Sequence, residues 1–247
     1  MTTQFSSRID RVQRIHQALS DNAPDPSMST ALSDSTGSVS LRAPGDEPTL
    51  PLGRALLERR SRYVFGSLRH LELSTLLRWA LGPQRTVTTG ERTAHTLDIH
   101  PSAGGLNSMT VHVVALEPID DIASAIYTFD PARHRLIQRR TGDIRTAFGE
   151  CLVQAEFAQR ASVCLVLAGE MTATLVKYSE RHYRTVHVDA GVAAAHLYLV
   201  GEALELSCCA ISGFYDDRVA DVLSLDDTQI PLLAFAVGAR RELGEQR

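Results

Sequence analysis

The chain has 247 residues, 44% hydrophobic and 22% charged, with a formal net charge of −4. That length can bury one large core, and the composition excludes wholesale disorder. A pI of about 6.1 excludes the diffuse basic field that non-specific nucleic-acid binding requires, so any anion site must be local.

The start of the chain carries charge too early for a signal peptide and has no apolar h-region. There is no run of about 18 apolar residues; Ala190–Val200 is shorter and holds His196. The chain therefore reads as cytoplasmic, without a membrane span. Cys151, Cys164, Cys208 and Cys209 form no CxxC pair, and they read as reduced core residues rather than disulfides or metal ligands.

In chain order, residues 8–19 predict a short helix with Ile9, Val12, Ile15 and Leu19 on one face. From Asp21 to Thr49 the composition turns to Ser, Thr, Asp, Pro and Gly, which predicts a flexible polar arm, so that residues 1–49 read as a short helix plus this arm and 50–247 as a globular domain. Pro51 opens a helix through Arg59, and Leu71–Leu81 is a second helix stopped by Gly82 and Pro83. Thr110–Glu117 predicts a strand, followed by a strand pair, Ala125–Phe129 and His134–Arg139, around a turn set by Pro131. A long helix is expected over Asp143–Arg160, an apolar strand over Ser162–Ala168 and a helix over Met171–Glu180. Asp189–Leu206 predicts an Ala-rich helix with Asp189 as its N-cap. The end reads strand (Cys208–Ser212), helix (Asp216–Leu223), strand (Pro231–Val237). The fold class is α+β, a central mixed or antiparallel sheet with covering helices and no internal repeat.

Three clusters carry chemistry. Glu58-Arg59-Arg60-Ser61-Arg62 joins forked guanidinium donors to a hydroxyl, a combination suited to phosphate. Taken alone, it reads better as a solvated helix end whose cations complement the macrodipole. Pro101-Ser102-Ala103-Gly104-Gly105 exposes backbone N–H groups before a strand, as an ordinary loop also does. It is neither a G-x-G-x-x-G fingerprint nor a Walker loop. The third cluster is Lys177-Tyr178. Of the 25 basic residues, Lys177 is the one lysine, and lysine alone among the two types can lose its proton on desolvation. A surface lysine in an arginine-biased sequence is the competing account. The nine histidines show no zinc spacing, Ser102 lacks a G-x-S-x-G setting, and Asp120-Asp121, Asp216-Asp217 and Asp226-Asp227 read as turn or cap residues.

In order along the chain, LLERRS, PSAGGL, IYTFDPARHRLI, KYSERHYR, ALELSCCAISGFYDDRVADVLSLD and PLLAFAVG resemble the SagB-type branch of the nitroreductase-like flavoproteins, from about Ser40 to Gly238. Those relatives are FMN-dependent dehydrogenases that oxidise azolines to azoles in peptide natural products.

The resemblance implies a nitroreductase-like fold and a homodimer with two FMN sites at its interface. It implies that Arg60, Ser61 and Arg62 bind the FMN phosphate and ribityl oxygens with Arg240, and that Ser102, Gly104 and Gly105 lie against the flavin. Lys177 and Tyr178 match the pair to which azoline oxidation is attributed, with hydride passing to the flavin and O2 as final acceptor. The Ala-rich helix would line the dimer. The chain departs from the pattern at Tyr63, where a second arginine is usual, at Glu205, Ser207 and Ser212, which replace glycines, and at Asn107. The implied substrate is an azoline on a ribosomal peptide or a carrier-tethered nonribosomal intermediate, and a cyclodehydratase or assembly line is the implied partner. The alternatives are an NAD(P)H-dependent nitro or quinone reductase and a noncatalytic docking subunit of a cyclodehydratase complex.

Overall fold

Main-chain pairing in the large sheet is antiparallel throughout, and it draws on nearly the whole length of the chain. The computed structural model describes residues 9–14, 32–88, 94–106, 108–172, 175, 178 and 180–241. In chain order the elements are β1 (Ser33–Ser40), α1 (Leu52–Glu58), β2 (Phe65–Gly66), α2 (His70–Leu81), β3 (Pro83–Thr88) and β4 (Ala94–Asp98). A 3₁₀ turn (Ala103–Gly105) leads to β5 (Met109–Ala115), β6 (Ile126–Asp130), β7 (Arg135–Thr141), α3 (Ile144–Gly149) and α4 (Glu156–Arg160). Then come β8 (Val163–Glu170), α5 (His182–Ala203), β9 (Leu206–Ile211), α6 (Asp216–Leu223) and β10 (Gln229–Arg240). The sheet order is β1-β7-β6-β5-β8-β10-β2, with β9 also on β10; β3 and β4 form a separate ribbon.

Alternation of side chains across the pleat explains how two layers of helix are held. Val163, Leu165 and Leu167 of β8 face Leu73, Leu76 and Leu77 of α2 and Ala193 and Leu197 of α5. Cys164 and Val166 face the other way, towards Ile144 and Phe148 of α3 and Val219 and Leu223 of α6. The adjacent Cys208 and Cys209 likewise enter opposite layers. All four thiols are buried and free, and burial pushes those of Cys151, Cys164 and Cys208 up to about 12. They are packing residues.

Three expectations change. The polar arm contains β1, an edge strand paired with β7 across a register shift between Asp34 and Gly37. An edge strand is held by main-chain bonds and needs few apolar side chains, so its composition hides it; Gln138 Nε2 donates to Ser35 Oγ at 2.9 Å. Val12, in the helical residues 9–14, is also buried, against Met171, Leu175, Val186 and Ile230; Ile15 and Leu19 lie outside the described residues. The expected helix Asp143–Arg160 is broken into α3 and α4. Between them Val153 N–H donates to the Gly213 carbonyl and Tyr215 N–H to that of Cys151, pinning the chain to the segment before α6. Finally, α5 begins at His182, so Asp189 is an interior residue rather than an N-cap. Among the described residues, no helix is long and apolar enough to cross a membrane.

Candidate functional site

The backbone after α1 is extended, so successive side chains point to opposite sides. Ser61 turns inward, its Oγ 2.9 Å from the Tyr198 hydroxyl, whose oxygen also accepts the Ala210 N–H at 2.8 Å. Arg62 turns the other way, anchored by its own N–H to the Cys208 carbonyl at 2.9 Å. Its Nη2 lies 3.1 Å from both carboxylate oxygens of Glu202, near the carboxyl end of α5. Arg240, the last residue of β10, brings Nη2 to 2.9 Å from Glu202 Oε1. Leu57, Glu58, Arg59, Arg60, Arg62, Glu202 and Arg240 line a cavity of about 410 Å³. Four guanidiniums against two carboxylates leave two positive charges over, the complement of a phosphate dianion. Arg59 also covers the Tyr198 ring at 5.1 Å from its centroid.

Of the residues expected to hold phosphate, Arg60, Arg62 and Arg240 are thus brought together, whereas Ser61 is engaged behind them. Tyr63 is 58% exposed outside this lining, with its ring tilted against Phe157 at 5.9 Å.

The glycine loop sits elsewhere. Ala103 N–H donates to both Asp189 oxygens, at 3.1 and 3.2 Å, and this is the role Asp189 has in place of a cap. Gly104 and Gly105 have φ of 62° and 63°, and a Cβ on Gly105 would meet Leu97 of β4 at 2.5 Å. Both glycines are therefore required by the backbone. His95 Nε2 contacts the Gly105 carbonyl from the same ribbon.

Tyr178 is half-buried and stacks on His182, the first residue of α5, with centroids 4.9 Å apart and planes at 13°. Asp189 lies on the same buried side of the helix, seven residues on. Tyr178 and the glycine loop therefore share one end of α5, and the arginines occupy the other. Lys177 lies outside the described residues. From Asp189 to Glu202 is 13 residues, about 20 Å of helix at 1.5 Å per residue. Within one chain the two groups of expected cofactor residues do not meet.

Sequence reading missed Glu202, Tyr198 and Asp189. A signal existed for the first two: a carboxylate and a phenol spaced i, i+4 in an otherwise apolar helical run. Among the described residues, no group of three or more His, Cys, Asp or Glu side chains could hold a metal ion.

Comparison with known proteins places the fold. The sequence profile of the Nitroreductase family matches residues 58–239. A Methanocaldococcus jannaschii protein named as a nitroreductase is 27% identical over 199 residues, covering 80% of this chain and 95% of its own. A crystal structure from Anabaena variabilis, also named as a nitroreductase, superimposes with a TM-score of 0.70 at 24% identity, covering 83% of this chain. This chain spans only 42% of that one. A chain of the E. coli microcin synthetase McbBCD complex with truncated pro-MccB17 bound gives a TM-score of 0.65 at 17% identity, covering 96% of this chain and 94% of that one. An Exiguobacterium sibiricum protein named as a nitroreductase, in complex with FMN, gives 0.56 at 12% identity, covering 81% and 92%. The fold expected from sequence is the one observed: α+β, with a central antiparallel sheet flanked by helices.

Proposed function

The chain belongs to the nitroreductase family, and from that premise we propose that it is an FMN-dependent dehydrogenase oxidising azoline rings to azoles on a peptide or carrier-bound substrate. The observation that carries the cofactor is the arginine cavity with its surplus of two positive charges and its buried, unpartnered guanidinium nitrogens Arg62 Nε and Arg240 Nε. Buried donors without partners call for an acceptor. Arg60, Arg62 and Arg240 would hold the phosphate, with Ser61 bonded to Tyr198 behind them. Ser102, Gly104 and Gly105 would lie against the isoalloxazine, where glycine lets a flat ligand approach the backbone.

The separation along α5 supports a homodimer in which each site takes its arginines from one chain and its glycine loop from the other. The outer face of α5 suits such pairing. Val188 (58% exposed), Gly191 and Ala195 follow one another at i, i+3 and i+7, and nothing lies within 4 Å of a Cβ placed on Gly191.

When bound, FMN supplies the acceptor for the electron pair and one hydrogen that ring oxidation releases, and dioxygen restores it. The protein's part is to orient the ring and remove the other hydrogen as a proton. Lys177 or Tyr178 takes that proton from the carbon beside the azoline nitrogen or carbonyl, with Tyr178 held in place by its stack on His182. A positioned base contributes roughly 10²–10⁴ in rate. Lys177→Ala should accordingly retain FMN and lose azole formation by about that factor. Unchanged turnover in a product assay by mass spectrometry would remove Lys177 from the mechanism.

The E. coli synthetase chain supports the azoline reading through its near-complete overlap with this fold. The relatives named as nitroreductases favour a second one, an NAD(P)H-fed nitro or quinone reductase. Rapid loss of flavin colour with NAD(P)H, together with nitroaromatic turnover, would select it.

A further inference from the structure

Glu202 has no place in the expected site, yet it is the most deeply buried charge in the arginine cavity, with its side chain 4% exposed beside Arg62 at 18% and Arg240 at 26%. Its position works against it. It sits in the last turn of α5, at the negative end of the helix macrodipole, where a carboxylate is disfavoured. A buried carboxylate there is tolerated only when paired. The pairing ties three separate pieces of chain together: the extended segment after α1 through Arg62, the end of β10 through Arg240, and α5 itself.

The contacts also leave donors over. Arg62 spends Nη2 on both carboxylate oxygens, and its Nε is buried without a partner. Arg240 Nη2 lies 2.9 Å from Oε1 without hydrogen-bond alignment, and its Nε is likewise unpartnered. Both guanidiniums are therefore fixed in place with unmatched N–H groups. Tyr63, one position on, cannot stand in for Arg62, because its side chain leaves on the other side of the strand-like segment towards Phe157.

We infer that Glu202 is the positioning residue for phosphate recognition: it holds Arg62 and Arg240 as a two-armed fork, so that Arg62 does the work for which the resembling family uses an arginine at position 63. The inference rests on the FMN reading of the cavity. It predicts that Glu202, although an anion in an anion site, favours the phosphorylated flavin.

The test is titration of the flavin-free full-length protein with FMN and with riboflavin, which differ by the phosphate, following flavin fluorescence. Wild-type protein should prefer FMN. Glu202→Gln should weaken FMN by about tenfold or more, the scale of one lost charge-assisted contact, while riboflavin affinity stays within about twofold. Glu202→Gln added to the double variant Arg62→Ala, Arg240→Ala should weaken FMN no further than that double variant does alone, since Glu202 acts through these two arginines. Unchanged or tighter FMN binding by Glu202→Gln would overturn the inference, showing a carboxylate that competes with phosphate. So would parallel loss of both flavins in Glu202→Gln and in the charge-retaining Glu202→Asp, which would assign the triad to fold stability alone. Equal affinity of wild-type protein for the two flavins would instead sink the FMN reading of the cavity, and the inference with it.

Discussion

Single residues here owe their roles to pairings that a linear reading does not show. Glu202 reads as a stray charge in an apolar helix until Arg62 and Arg240 close on it from two other elements. Arg62 was legible as a phosphate candidate because of its neighbours, whereas the capture of Ser61 by Tyr198 was not, since the partners are 137 residues apart. Glu205 shows a departure with a local cost. It holds φ of 55° just after α5, the left-handed position that glycine occupies without penalty. The histidines, read as scattered, include two whose burial lowers them to about 4, His100 beside His196 and His112 beside Arg139. A histidine kept neutral by the fold contributes stability in full above its unfolded value near 6.5 and loses it as pH falls towards 4. Asp98, raised to about 6 by burial, works in the opposite sense, becoming less unfavourable as it protonates. His112 has both ring nitrogens buried and unpartnered. His112→Leu should flatten the loss of stability between pH 7 and pH 5 by on the order of 2 kcal/mol, measured by urea unfolding at the two values. An identical pH dependence in wild type and variant would show that His112 does not titrate in the unfolded chain alone.

At the scale of elements, those that carry their own signals were legible. The helix Asp216–Leu223 and the hairpin around Pro131 form where turn chemistry and periodicity put them. The failures were elements fixed by distant partners. β1 is a polar edge strand that exists because β7 offers it a ladder, and the break between α3 and α4 is imposed by the segment before α6. For α5 the composition showed a helix but misplaced its start, because Asp189 is a plausible cap whose carboxylate serves the Ala103 N–H instead. The exposed face of the same helix yields a direct test of association. Gly191 faces open space, so Gly191→Leu should leave the folded chain at least as stable, given leucine's better helix propensity, while breaking the close approach of two α5 helices. Sedimentation should show a dimer for wild-type protein and a monomer for the variant, with FMN affinity falling alongside. A variant that remains dimeric would place the interface elsewhere.

For the molecule as a whole, the sheet sets the geometry and α5 sets the scale. In the proposed function one end would recognise the anion, through the arginines around Glu202, and the other would hold the glycine loop and Tyr178 against the flavin. The motifs put forward both groups of residues but not their separation, which depends on the length of one helix and on what packs beside it. Whether this scaffold serves azoline oxidation is decided by an anaerobic mixing experiment. Purified FMN-loaded protein is mixed with an azoline-containing peptide, and separately with NADH and NADPH, while flavin absorbance and product mass are followed. The azoline should bleach the flavin with loss of two hydrogens from the peptide, and the nicotinamides should bleach it far more slowly. Fast bleaching by a nicotinamide, with an unreactive azoline, would contradict azoline oxidation.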